Sequence, residues 1–138
     1  MMISSFILIA EDDADDRLLL NTAFHETGYD GKLEFVSDGV ELMSFLHSAL
    51  EKELVPGLIL LDLNMPRKGG REVLKEIKEN KGFKKIPVII FSTAKNESEV
   101  EKCYELGANS YVAKPENYHS LLQFVNNIRH LLFITPNQ

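Results

Sequence analysis

The sequence has a single cysteine, Cys103, so it cannot form a disulfide bond within one chain. Its longest apolar runs, such as residues 6–10 and 58–61, are far shorter than the ~20 residues needed to cross a bilayer. The first ten residues also lack the basic segment of a signal peptide. We therefore predict a cytoplasmic protein with a free thiol and without a membrane span.

Basic residues are also scarce. The chain has 15 lysines and arginines against 21 acidic residues, a formal net charge of -6. A nonspecific nucleic-acid binder needs a basic face, so this balance argues against direct contact with nucleic acid. With 138 residues, the chain fits one domain that can bury a proper core. We expect residues 1–138 to form that single domain, without an attached output domain.

Short β-rich apolar runs alternate along the chain with longer amphipathic segments of helical period. The runs are apolar on both faces, which is typical of parallel strands covered by helices on both sides. The sequence therefore predicts a doubly wound α/β domain with a five-stranded parallel sheet. The predicted strands are residues 5–10, 33–37, 58–62, 87–91 and 110–113.

Polar residues that could bind a ligand or take part in a reaction follow the predicted strands at the point where each strand ends. In an open α/β sheet, ligands bind beyond the carboxyl ends of the strands, so these side chains are candidates for one site. If the first and third strands are neighbours, the acids after them converge on a single pocket. The candidates are Glu11, Asp12 and Asp13, Asp62, Ser92 and Thr93, and Lys114.

These residue types suit metal-dependent phosphoryl transfer. Clustered carboxylates repel one another unless a cation neutralises them, and Mg²⁺, with Mn²⁺ as an alternative, prefers such oxygen ligands. An ionised Asp62 is already a competent nucleophile and would form an acyl phosphate. A hydroxyl and the Lys114 ammonium would contact the phosphoryl oxygens. Thr93 is preferred to Ser92 as that hydroxyl because it lies nearer the expected strand end.

Four separated motifs, in this order, resemble the receiver domains of two-component response regulators. The resemblance covers residues 6–132 and implies a flavodoxin-like sheet with strand order 2-1-3-4-5 and helices on both faces. It also implies Mg²⁺ binding by Asp13 and Asp62 directly, by Asp12 through a water and by the backbone carbonyl of Asn64. The motifs are Asp12-Asp13, residues 61–66, Ser92-Thr93-Ala94 and residues 107–115.

The same resemblance implies the roles of the remaining site residues. Asp62 would be the phosphoacceptor, and Thr93 and Lys114 would hold the phosphoryl oxygens. Tyr111 would be the aromatic switch that turns inward as Thr93 moves towards the phosphate. The bond between Lys114 and Pro115 is expected to be cis, as is usual in this family.

Partners are implied by the resemblance as well. A histidine kinase or a phosphotransfer protein would supply the phosphoryl group, and an unidentified downstream protein would receive the signal. Residues 31–42, 51–55 and 67–70 are similar to stand-alone regulators paired with phytochrome-type kinases. Val100, Cys103 and Tyr104 lie either on a partner-binding face of the fourth helix or against the sheet. The apolar residues 131–134 favour a homodimer contact.

Two other functions compete with this interpretation. A metal-dependent phosphatase with an aspartyl nucleophile usually carries a second Asp two residues later, and here that position is Asn64. We therefore expect a phosphoacceptor that catalyses its own phosphotransfer and slowly loses the phosphoryl group, rather than an enzyme with a separate substrate. A receiver that acts only as a binding module is the other alternative, and the presence of every expected ligand type argues against it.

Overall fold

The protein, described here by a computed structural model, is built around a five-stranded parallel sheet with strand order β3-β2-β5-β6-β7. Counting only the strands of this sheet, the order is 2-1-3-4-5, so the predicted topology is confirmed. The structure describes residues 2–3 and 6–133, with side chains from residue 6 to residue 130. The strands are β2 (Ile7–Ala10), β3 (Leu33–Val36), β5 (Leu58–Leu61), β6 (Val88–Ser92) and β7 (Ser110–Ala113).

Four helices connect these strands and a fifth follows the last of them, and together they cover both faces of the sheet. The side chains of each strand alternate between two apolar clusters: Leu8 and Ile90, for example, belong to one and Ile9 and Phe91 to the other. Helices α2, α3 and α4 pack on the first cluster, and α1 and α5 pack on the second. The helices are α1 (Ala14–Glu26), α2 (Gly39–Glu51), α3 (Gly70–Glu79), α4 (Glu97–Glu105) and α5 (Tyr118–Phe133).

In the fourth helix, the structure shows which of Val100, Cys103 and Tyr104 pack in the core and which are exposed. Cys103 is fully buried in the core, whereas Tyr104 is exposed and Val100 is partly buried. Asn96 caps this helix, because its side-chain oxygen accepts a hydrogen bond from the Glu99 amide at 2.8 Å. Of the three residues, only Tyr104 therefore remains well placed to meet a partner.

A second, two-stranded sheet was not predicted. Here β1 (Met2–Ile3) pairs in parallel with β4 (Leu54–Val55). Strands of two residues are too short to show a period in the sequence, so residues 51–55 gave only the expectation of a long connection. The helices of the described residues include none that is long and apolar enough to cross a membrane. The side chains of residues 131–134, on which the homodimer prediction depends, lie outside those that the structure describes.

Candidate functional site

The backbone brings Asp62 and Lys114 to the same edge of the sheet. The Asp62 amide donates to the carbonyl of Ala10 at 3.1 Å, which places Asp62 just beyond β5 and beside the end of β2. The Lys114 amide donates to the carbonyl of Ser92 at 2.8 Å, so Lys114 lies just beyond β7 and beside the end of β6. The peptide bond between Lys114 and Pro115 is trans, and the expected cis bond was therefore wrong.

The Lys114 ammonium lies among three carboxylates. Its Nζ is 2.6 Å from Oε1 of Glu11, 2.9 Å from Oδ2 of Asp16 and 3.3 Å from Oδ2 of Asp62. Burial by itself would lower the pKa of Lys114, but the hydrogen bonds to Glu11 and Asp16 and the charge of Asp62 raise it above its usual value. Lys114 is therefore a permanent cation at this strand edge. The sequence analysis did not anticipate its contact with Asp16.

Carboxylate oxygens of Glu11, Asp12 and Asp62 lie within 4.8 Å of one another. Glu11 and Asp62 are buried, and Asp12 is exposed at the mouth of the cluster. Burial raises the pKa of Glu11, and the charge of Asp62 adds to that effect, although the contact with Lys114 opposes both. With Asp16 included, four carboxylates face one described ammonium, so the site has an excess of negative charge that a divalent cation would neutralise.

The structure does not bring Asp13 into this cluster, contrary to the prediction. Asp13 is the N-cap of α1, and its Oδ1 accepts hydrogen bonds from the amides of Asp15 at 2.8 Å and Asp16 at 3.0 Å. A side chain that caps a helix turns towards the helix amides, away from the strand end. Glu11 takes the predicted place instead, because it directly follows β2.

The buried hydroxyl beside the site belongs to Ser92, whereas the Thr93 side chain is exposed. Ser92 is the last residue of β6 and pairs with Ala113, immediately before Lys114. The Tyr111 hydroxyl donates to the carbonyl of Ala94 at 2.6 Å. Burial raises the pKa of Tyr111, while a hydrogen bond with Ser92 lowers it. The structure thus connects Tyr111 with Ser92, and the predicted preference for Thr93 finds no support in its placement.

The loop that follows Asp62 is held close to Asp62 itself. The Asn64 amide donates to Oδ1 of Asp62 at 3.2 Å, and the Asn64 side chain is exposed. Gly70, the first residue of α3, approaches the backbone of Asp62 so closely that a β-carbon there would lie 2.5 Å from its carbonyl oxygen. Any side chain at position 70 would therefore push the loop away from Asp62.

Comparison with known proteins identifies the class. The model of the response regulator receiver domain matches residues 7–126, and the chain belongs to this family. The response regulator Rcp1 of Synechocystis is 42% identical over 124 residues, which cover 88% of this chain and 84% of that protein. The probable methanogenesis regulatory protein FilR2 of Methanothrix harundinacea is 32% identical over 125 residues, covering 89% and 80% of the two chains.

Solved structures agree with this assignment. The phosphorylated cyanobacterial phytochrome response regulator RcpA superposes with a TM-score of 0.86 at 36% identity, covering 94% of each chain. The Mn²⁺-bound form of the response regulator Rcp1 superposes with a TM-score of 0.84 at 39% identity, covering 96% of each chain. The protein is therefore a response regulator receiver domain of phosphorelay signal transduction, and it is similar to a cyanobacterial phytochrome response regulator.

Proposed function

We propose that this protein is a single-domain response regulator that accepts a phosphoryl group on Asp62. The observation that carries the proposal is the position of Asp62, a buried carboxylate 3.3 Å from Lys114 and grouped with Glu11 and Asp12. Its carboxylate accepts hydrogen bonds from Lys114 and from the Asn64 amide. These contacts orient the Asp62 carboxylate beside Asp12, the exposed member of the cluster.

The chemistry is a displacement at phosphorus. A carboxylate oxygen of Asp62 forms the new bond to phosphorus while the bond between phosphorus and the donor's histidine nitrogen breaks, and that nitrogen keeps the electron pair. The reaction needs no general base, because Asp62 is already ionised. Lys114 would contact an oxygen of the transferred group and stabilise its charge. The same charged site would let the protein catalyse its own phosphotransfer and a slow hydrolysis of the acyl phosphate.

Glu11, Asp12 and Asp62 would hold Mg²⁺, or Mn²⁺ in its place, with Asn64 supplying a backbone carbonyl. The donor set fits a hard ion, since it consists of oxygen atoms only and carries more negative charge than Lys114 balances. When bound, such an ion neutralises charge on the phosphoryl oxygens. The Mn²⁺-bound form of Rcp1 is consistent with this assignment.

Ser92 and Tyr111 would form the switch. We assign to Ser92 the hydroxyl role that the sequence analysis gave to Thr93, because Ser92 is buried between Lys114 and Tyr111. A phosphoryl group on Asp62 would draw the Ser92 hydroxyl towards it. Tyr111 would then lose its hydrogen bond to the Ala94 carbonyl and turn into the space that the Ser92 hydroxyl leaves. This movement would change the surface near α4.

The phosphoryl group would come from a histidine kinase or a phosphotransfer protein, and output would pass to another protein. Similarity to the phytochrome response regulator RcpA supports a kinase of the phytochrome type as the donor. Tyr104 is exposed on α4, next to the proposed switch, and its hydroxyl accepts a hydrogen bond from the Tyr111 amide at 3.0 Å. This contact joins the switch to a surface that a downstream partner would recognise.

Intact-mass spectrometry tests the proposal. The protein is incubated with acetyl phosphate or phosphoramidate, with and without Mg²⁺, and quenched rapidly. We expect one phosphoryl adduct that requires Mg²⁺ and is absent from Asp62→Asn. Asp38→Asn is the matched control, because Asp38 is also a buried aspartate but lies outside the cluster. If neither an adduct nor beryllofluoride binding is found for the unaltered protein, the proposed function is wrong and only the fold assignment stands.

A further inference from the structure

Asp16 is a fourth carboxylate at the site, and it comes from a helix rather than from a strand end. It is the third residue of α1, and its Oδ2 lies 2.9 Å from the Lys114 Nζ. That distance is shorter than the 3.3 Å between Lys114 and Asp62. The two residues are 98 positions apart in the chain, so the contact exists only because α1 packs beside the end of β7.

The contact matters because the donors of Lys114 are limited. An ammonium has three N–H groups, and Lys114 donates two hydrogen bonds, to Asp16 at 2.9 Å and to Asp62 at 3.3 Å, while Oε1 of Glu11 lies 2.6 Å from its Nζ. A phosphoryl group on Asp62 that binds Lys114 would therefore compete with Glu11 and Asp16 for this ammonium.

Of the two carboxylates other than Asp62 that Lys114 contacts, Asp16 is more easily displaced than Glu11. The Glu11 side chain is 2% exposed, and the Asp13 amide, at 3.2 Å, is its neutral donor, so its release from Lys114 would leave a buried carboxylate without a counter-ion. The Asp16 side chain is 38% exposed, and water can replace the lysine at little cost. A cavity of about 50 Å³ beside Asp16 and Lys114 has room for one water molecule.

We propose that Asp16 is a positioning residue that competes with the phosphoryl group for Lys114 and so weakens the site's hold on that group. The inference rests on the proposed phosphoryl acceptance by Asp62. Asp16 acts in two ways with the same sign: it occupies a donor of Lys114, and its negative charge repels an incoming anion. Removing its charge should therefore strengthen binding of a phosphoryl mimic.

The affinity for beryllofluoride, measured by ¹⁹F NMR at saturating Mg²⁺, tests this inference on Asp16→Asn. Asp15→Asn is the matched control, because Asp15 is the neighbouring exposed acid and has no described ion pair with Lys114. We expect Asp16→Asn to bind beryllofluoride about two- to fivefold more tightly, within the range for a partly exposed ion pair. Asp15→Asn should change the affinity less than twofold, and Asp16→Glu should restore the affinity of the unaltered protein.

Two outcomes would overturn the inference. Equal affinities of Asp16→Asn and Asp15→Asn would mean that only net charge matters. Weaker binding by Asp16→Asn would mean that Asp16 holds Lys114 in the orientation that phosphoryl binding needs. A readout without any phosphoryl mimic separates this test from that of the proposed function. The ¹H–¹⁵N signal of the Lys114 ammonium should exchange with water faster in Asp16→Asn than in Asp15→Asn, and equal exchange would also overturn the inference, even if no variant binds beryllofluoride.

Discussion

Asp62 and Asp38 are two aspartates with almost the same burial, 5% and 6% exposed, and with opposite surroundings. Asp38 caps α2 by accepting from the Glu41 amide at 2.8 Å, and it accepts two further hydrogen bonds from the Arg67 guanidinium at 2.9 and 2.7 Å. Asp62 has longer contacts, at 3.2 Å to the Asn64 amide and 3.3 Å to Lys114. It shares Lys114 with other acids.

The difference between the two sites shows what burial means for a carboxylate. Asp38 accepts hydrogen bonds from the Glu41 amide and from Arg67, which lower its pKa, whereas burial by itself would raise it. Asp62 is buried among like charges, and an added cation or a phosphoryl group improves its surroundings. Burial alone does not distinguish a structural aspartate from a reactive one, but the sign of the neighbouring charges does.

The largest expected effect is on phosphoryl uptake. Asp62→Asn should abolish the Mg²⁺-dependent mass adduct, while Asp38→Asn should form it to the same extent as the unaltered protein. The reason is that an amide oxygen is a poor nucleophile towards phosphorus, whereas Asp38 takes no part in the site. A phosphoryl adduct on Asp62→Asn would mean that another residue accepts the phosphoryl group, and the contrast between Asp62 and Asp38 would then be wrong.

Mg²⁺ should stabilise the protein through the acidic cluster. An ion concentration about 100 times Kd adds about 2.7 kcal/mol to the free energy of unfolding, provided that only the folded chain binds it. Urea denaturation followed by circular dichroism measures this increase, and a chelator should reverse it. Asp38→Asn should gain as much as the unaltered protein and Asp62→Asn clearly less. If Mg²⁺ raised the free energy of unfolding equally in both variants, the metal site would not include Asp62.

Without metal, the two substitutions should shift stability in opposite directions. Asp62→Asn removes one of the acids that crowd Lys114, and we expect it to raise the free energy of unfolding by about 1 kcal/mol. Asp38→Asn keeps an oxygen for the Glu41 amide but loses the charge that Arg67 contacts, so it should lower that free energy. Urea denaturation in the presence of a chelator compares the two. A destabilised Asp62→Asn would show that the ion pair with Lys114 outweighs the repulsion.

The smallest expected effect is on acid stability. The Glu41 amide and Arg67 hold the pKa of Asp38 below its usual value of 3.8. A carboxyl group whose pKa is lowered by folding stabilises the protein above its unfolded-state pKa and loses that contribution as the pH falls through the folded-state pKa. The stability difference between the unaltered protein and Asp38→Asn should therefore be constant near neutral pH and shrink below about pH 4. A difference that persists at lower pH would contradict this account.

Much of the site was predictable because it depends on strand ends. Asp62 and Lys114 follow β-rich apolar runs, and parallel strands present their carboxyl ends at one edge, so their proximity follows from the pattern. It was harder to predict which of two adjacent residues at a strand end belongs to the site. The sequence predicted the pair Asp12 and Asp13 where the structure groups Glu11 and Asp12 with Asp62, and it favoured Thr93 over Ser92, because a strand end read from sequence is uncertain by a few residues. A shift of one residue turns a strand side chain to the opposite face.

By itself, the sequence determined the alternation of strands and helices, the parallel sheet and the positions of Asp62 and Lys114 at strand ends, since these follow from local periodicity and strand polarity. The tertiary structure decided which acid caps α1, which hydroxyl is buried beside Tyr111, and the contact between Asp16 and Lys114. It also decided that Asp38 is fully partnered by Arg67. These features depend on distances between residues far apart in the chain, which packing of helices on the sheet sets and no local pattern records.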